Sequence, residues 1–183
     1  MTWTLDPAHS AVTFSTKHMM VTTVRGGMQI RDFDLAFDPE DLAASSVHVS
    51  LDVASIDTGQ AMRDNHLRSP DFFDAEHYPV IDFVSNRIER DGDEYAIHGD
   101  LTIRGVTRPV VLDAEYAGTV ANLKGGRSAG FSARTKINRE DFGLTWNVAL
   151  ESGGVMVSKD VKIEIDLEVV SAEQASEARA DVA

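Results

Sequence analysis

Not one of the 183 residues is cysteine, which excludes disulfides, thiolate nucleophiles and cysteine-ligated metals. Basic residues are scarce. Against 30 Asp and Glu there are 17 Lys and Arg, and a formal charge of -13 repels phosphate backbones and anionic lipid surfaces, so no nucleic-acid partner and no stable membrane insertion are expected. No apolar run reaches the roughly eighteen residues a spanning helix needs. The opening MTWTLDPAHS also lacks the basic start, apolar run and small-residue cleavage site of an export signal, so a cytoplasmic protein is expected. Catalytic spacings are missing as well. The six histidines form neither H-x-H nor H-E-x-x-H, no G-x-S-x-G elbow occurs, and Gly125-Gly126 and Gly153-Gly154 lack the Lys-Ser/Thr and following helix of a phosphate loop. No metal and no cofactor is expected.

What the chain does contain is alternation. Val12, Phe14, Thr16, His18 and Met20 share one parity and predict a first half-buried strand. Arg25-Gly26-Gly27 reads as a turn, followed by a second strand in which Met28 and Ile30 give way to the opposite parity of Phe33, Leu35 and Phe37; a bulge near Arg31 and Asp32 reconciles them. Val47 to Val53 is the third strand, with His48, Ser50 and Asp52 outward. Ile81, Phe83 and Ser85 face inward on the fourth, and Tyr95, Ile97, Gly99, Leu101 and Ile103 on the fifth. Val110, Leu112, Ala114 and Tyr116 do so on the sixth, before a loop from Gly118 to Arg127. Phe131, Ala133, Thr135 and Ile137 mark the seventh, and Val161 to Val169 the eighth.

The one long interruption is SIDTGQAMRDNHLRSPDFFDAEHYPVIDFVS, Ser55 to Ser85. Asp57 and Thr58 supply acceptors for a helix start, Gln60 to Leu67 are helix formers with Met62 and Leu67 available to face inward, and Ser69-Pro70 predicts a second helical turn. Phe72 and Phe73 then offer at least one plug for an apolar opening, which places this insertion over or beside the mouth of whatever the strands enclose. A second non-alternating patch, INREDFGLTWN, offers Asn138 and Asp141 for turn hydrogen bonds. Its Phe142, Leu144 and Trp146 are available to line an interior or cover its end.

Eight alternating segments without a βαβ rhythm predict an all-β fold, an eight-stranded antiparallel barrel with a short helical insertion between strands three and four. A barrel of that size either fills its interior with side chains or holds one small ligand. Ser85, Gly99, Ala114, Ala133 and Thr135 on inward parities leave room for a bore, although a sandwich packed with compensating aromatics also accepts them. Residues 1–170 form one domain, and the Ala- and Glu-rich stretch 171–183 is a poorly ordered tail.

The words DPAHSAVTFSTKHM, SIDTG, RDNHLRSPDFFDAEHYPVIDF, GDLTIRGVTRPV and INREDFGL, in this order across Trp3 to Val170, resemble the YceI-like family of lipid-binding proteins. The resemblance implies a lipocalin-like barrel holding a polyisoprenoid or similar amphiphile, and it makes Asp64 and His66 ties that anchor the insertion. Relatives in that family are often exported, from which this chain departs at its start. The expected function is non-catalytic binding, storage or transport of a polyisoprenoid, quinone or fatty-acid-like ligand. The ligand-binding residues would be Phe14, His18, Met20, Phe72, Phe73, Phe83, Leu101, Ala133, Thr135, Phe142 and Trp146. The alternatives are an enzyme acting on a bound lipid or quinone through His18 or the Arg63 to His66 cluster, and an interaction protein with a filled barrel. Pairing of two copies into a homodimer stays open.

Overall fold

Alternation becomes strand wherever the sequence shows it. The computed structural model describes residues 2–123 and 125–171. In it the elements follow in the order β1 (Trp3–Leu5), β2 (Ala11–His18), β3 (Thr22–Ala36), β4 (Ser46–Asp57), α1 (Ala61–Arg68), β5 (Val80–Asp91), β6 (Glu94–Ile103), β7 (Val106–Ala121), β8 (Arg127–Asn138) and β9 (Val157–Ser171). Consecutive strands from β2 to β9 pair antiparallel, and β9 pairs back onto β2, so the sheet closes into a ring of eight staves. Closure leaves β2 to β9 no free edge along their paired stretches. The polar parity of β9, with Lys162, Glu164 and Asp166, faces out, and Ile163, Ile165 and Leu167 face in.

The short β1 is the strand that alternation did not reveal, because three residues are too few to show a period. It extends the β2 position on the same partner: β9 pairs Val157 to Asp166 with β2 and Val169 to Ser171 with β1. Between the two, Asp6 caps a 3₁₀ turn, Pro7–His9, by accepting from the Ala8 amide at 2.9 Å. The predicted tail at 172–183 lies outside the described residues, while Ser171 belongs to β9.

Two turn readings need correction. The first hairpin turns at Met19 and Met20, both at positive φ, and not at Arg25-Gly26-Gly27, which sit inside β3. Gly26 is there because a Cβ would lie 2.7 Å from the Phe14 ring and from the Thr58 methyl. Gly118 does not open a loop either; β7 runs on to Ala121 through a bulge that Gly118 absorbs at φ 104°. The bulge foreseen near Arg31 is present, as a register shift between Ile30 and Asp32.

α1 also starts differently. Its N-cap is Gln60, whose side chain accepts from the Arg63 amide, while Thr58 donates its amide and hydroxyl to the buried Asp64 carboxylate. Met62 is 79% exposed and faces water, whereas Leu67 faces in as read. No second helix forms after Ser69-Pro70. Residues 70–73 are a turn, in which the Phe72 amide bonds the Ser69 carbonyl and the Phe73 amide the Leu67 carbonyl, both at 3.0 Å.

Because all pairings are antiparallel, connections alternate between the two barrel ends. One end carries the first hairpin, the α1 insertion, the Arg104-Gly105 turn and the segment from Arg139 to Met156. The other carries β1, the 37–45 connection, the Gly92 turn and the connection from β7 to β8.

Candidate functional site

Inside the ring is an apolar cavity of about 260 Å³ that reaches from one barrel end to the other. At the helical end its wall is Phe72, Phe142, Leu144 and Arg139, every one buried. Phe72 is fixed there by its neighbours: His66 and Trp146 pack on its ring at centroid distances of 5.1 and 5.3 Å, and Arg104 donates to its carbonyl at 3.0 Å. The insertion beneath is tied by Arg68, whose guanidinium donates to the Ala54 and Ile56 carbonyls at 2.9 Å each. At the opposite end Phe37, Leu42, Tyr95 and Tyr116 border the cavity and stay half-buried. There Phe37 sits edge-on to Trp3, Tyr116 and Phe131 at 5.0 to 5.6 Å. The insertion therefore floors the bore, and the end ringed by Phe37 is the looser one.

Eight of the eleven predicted site residues border this cavity: Phe14, Phe72, Phe73, Phe83, Leu101, Ala133, Thr135 and Phe142. Phe83 depends on the inward Gly99, since a Cβ there would come within 2.4 Å of the Phe83 ring. The other three do not border it. The pairing of β2 with β9 shifts register between Thr16 and His18, which takes His18 off the inner face that Val12, Phe14 and Thr16 share. Met20 is a turn residue, 67% exposed. Trp146 covers the end from behind Phe72 without reaching the cavity. Ser85, read as inward, accepts from the Val47 amide at 2.9 Å beside a bulge and leaves the lining.

Of the residues passed over as site candidates, Phe33, Leu35, Phe37 and Tyr116 carried the right parity in the sequence. Arg139 carried no such signal; a cation inside the INREDFGL patch reads as solvated. Burial holds its pKa below the ordinary arginine range, and the charge of the neighbouring Glu140 offsets part of that shift.

The polar constellations lie elsewhere. His66 Nε2 sits 2.8 Å from Asp71, a bond within the insertion, while its ring meets Trp146 outside the insertion at 4.7 Å, and Arg63 serves the same loop through Thr58. On the outside, Ser50 donates to Asp82, and His48 Nε2 approaches both, at 3.4 and 3.2 Å. A relay would need the two imidazole nitrogens to serve different partners, so this is a cross-strand polar contact. Among the described residues the grouping with ligand-like spacing is Asp6, His9 and Glu168, whose donor atoms lie within 4.8 Å of one another. His9 Nδ1 already bonds Asp6 at 2.9 Å, and that bond raises its pKa, favouring the imidazolium over a metal ligand.

Residues 3–169 match the YceI-like domain. The chain belongs to the YceI-like family. Among its YceI-like relatives, a UPF0312 protein of Staphylococcus aureus strain MSSA476 is 38% identical over 167 residues, covering 91% of this chain and 95% of that one. A UPF0312 protein of Staphylococcus epidermidis strain ATCC 12228 is 40% identical over 164 residues, 89% and 94% of the two chains. Of the solved structures, BcnA of Burkholderia cenocepacia superposes with a TM-score of 0.77 at 28% identity, covering 90% of this chain and 99% of that one. The Campylobacter jejuni YCEI protein gives 0.72 at 33%, covering 86% and 90%. A polyisoprenoid binding domain from Saccharophagus degradans, implicated in plant cell wall breakdown, gives 0.63 at 15%, covering 94% and 99%. At that identity it shares the fold of this YceI-like chain.

Proposed function

We propose that this YceI-like barrel sequesters one long-chain amphiphile, a polyisoprenoid or isoprenoid quinone, for storage or transport and without covalent chemistry. The observation that carries the reading is the bore itself, continuous through the barrel and walled by hydrocarbon. A cavity of about 150 Å³ holds the six carbons of benzene, so 260 Å³ holds roughly ten carbons, or about two five-carbon isoprene units. At about 0.8 kcal/mol per methylene they contribute roughly 8 kcal/mol gross. Association and ordering cost about 4–15 kcal/mol. The low end of that cost leaves about 4 kcal/mol, a millimolar complex before any burial of tail or head beyond the bore. A polyisoprenoid binding domain of the same fold is consistent with this ligand class.

The test is native mass spectrometry of freshly purified protein, followed by solvent extraction and titration of the stripped protein with prenyl alcohols of increasing length. Affinity should rise with each added unit and level off once the bore is full, near two. A response flat in tail length would refute the reading.

A further inference from the structure

Arg139 is the feature of the bore that a container for hydrocarbon does not need. The residue is 5% exposed and borders the cavity at its floor. It opens the 3₁₀ turn Arg139–Phe142 after β8, which Asn138 caps through the Glu140 amide. Its Nε donates to the Ser158 carbonyl at 3.0 Å, its Nη1 to the Leu144 and Trp146 carbonyls at 2.7 and 2.9 Å, and its Nη2 to the Val157 carbonyl at 3.4 Å. All four acceptors are neutral. Among the described residues no carboxylate lies within ion-pair distance, and the fifth guanidinium N–H has no acceptor. The Phe72 ring stands 5.9 Å from Cζ.

A buried cation is ordinarily matched by an anion, since carbonyl dipoles only partly offset its lost hydration. Here the cavity lining around it is Phe72, Phe142, Leu144 and Val157, and the carboxylate that acts on it is the adjacent, solvent-exposed Glu140. The other residue bordering the bore that is charged at neutral pH, Glu115, is exposed and paired across to Ser132 on β8. The floor therefore places a cation against an apolar tube, and no cation lines the tube at the looser end.

We propose that Arg139 anchors the head group of the ligand, which is an amphiphile with an anionic head, a carboxylate or a phosphate, lying at the helical floor with its tail running toward Phe37 and Tyr116. A charge-assisted bond to the fifth N–H would satisfy the donor and neutralise the charge together. The proposal rests on the carrier reading above and narrows it, since an uncharged quinone head would not meet this anchor.

The two tryptophans, Trp3 and Trp146, make the orientation measurable, because one stands at each end. Delipidated protein is first titrated with hexadecanoate, hexadecyl phosphate, hexadecanol and hexadecylammonium. The two anions should bind at least tenfold tighter than the alcohol and at least a hundredfold tighter than the cation, with the preferred anion identifying the head class. No change to Arg139 is required, which matters because it also ties four carbonyls. Next, 2-bromo- and 16-bromohexadecanoate are added to the Trp3→Phe and Trp146→Phe variants. Bromine beside the carboxylate should quench Trp146, and bromine at the tail should quench Trp3. Equal affinity across heads, or the opposite quenching pattern, overturns the anchor while leaving the carrier intact. If affinity fails to rise with tail length in the prenyl alcohol titration above, the carrier reading itself falls.

Discussion

Ala133 separates a bore from a solid core. It lies on β8 opposite Ala114 of β7 and Ile165 of β9, and its side chain borders the cavity. Ala133→Trp adds nine non-hydrogen atoms. In a cavity with room for roughly ten carbons, they displace about nine carbons of the ligand. At about 0.8 kcal/mol each, the gross loss approaches 7 kcal/mol. If half of it is realised after the tail rearranges, affinity falls by about 3.5 kcal/mol, between two and three decades. A packed interior would respond otherwise: overpacking costs about 1–3 kcal/mol. In a chain of this size that lowers the melting temperature by about 2–4 °C per kcal/mol. Both proteins must be delipidated and compared by calorimetry, since bound ligand raises apparent stability by mass action. Binding is then titrated with a prenyl alcohol of two units. The expected result is a melting temperature within about 2 °C of wild type together with lost binding. A variant that melts some 10 °C lower and still binds fully would refute both the inward placement of Ala133 and the bore.

Phe72 and Phe73 should part company despite being adjacent. Phe72→Ala empties a site buried to 5% exposure and should cost about 3–5 kcal/mol in urea unfolding, whereas Phe73→Ala, at a half-buried position on the bore, should mainly accelerate ligand release. Asp64→Ala leaves the Thr58 amide without its acceptor and should cost about 1–3 kcal/mol, with loss of hydrogen-exchange protection confined to α1 and its approach. His9 and His77 should titrate by NMR above the ordinary histidine range, because Asp6 and Asp74 bond their Nδ1 atoms. Each such pair stabilises the fold below the unfolded-state pKa and loses that effect as pH rises through the raised folded value; Asp6→Asn should lower the His9 midpoint toward the ordinary value, with Glu168 at 3.9 Å retaining part of the rise.

Alternation made β2 to β9 legible because one face of each strand is wet and the other faces the bore. The failures cluster where the backbone departs from that rule. Met19 and Met20 form a turn with none of the residues that usually adopt positive φ, so the turn was sought at Gly26-Gly27, where glycine instead makes room for Phe14. The same error carried the inner parity two residues too far and placed His18 and Met20 in the site. Asp57 and Thr58 have the chemistry of helix caps, but Thr58 donates to Asp64 and the cap falls to Gln60. Arg139 was invisible for a different reason: its acceptors are backbone carbonyls of a later segment, which no spacing in the sequence reveals.

The strands that close the ring are its first and its last. Thr13 and Glu164 face each other across the seam yet stand 151 positions apart in the chain. A ribosome adding about 5–20 residues per second needs roughly 8–30 s between producing one and the other. For that interval the nascent sheet is an open trough with β2 as an unpaired margin and its oily face uncovered, since neither β1 nor β2 has another partner on that side. Birth of this protein thus has a vulnerable period set by translation speed, and slow codons in the β9 coding stretch would lengthen it.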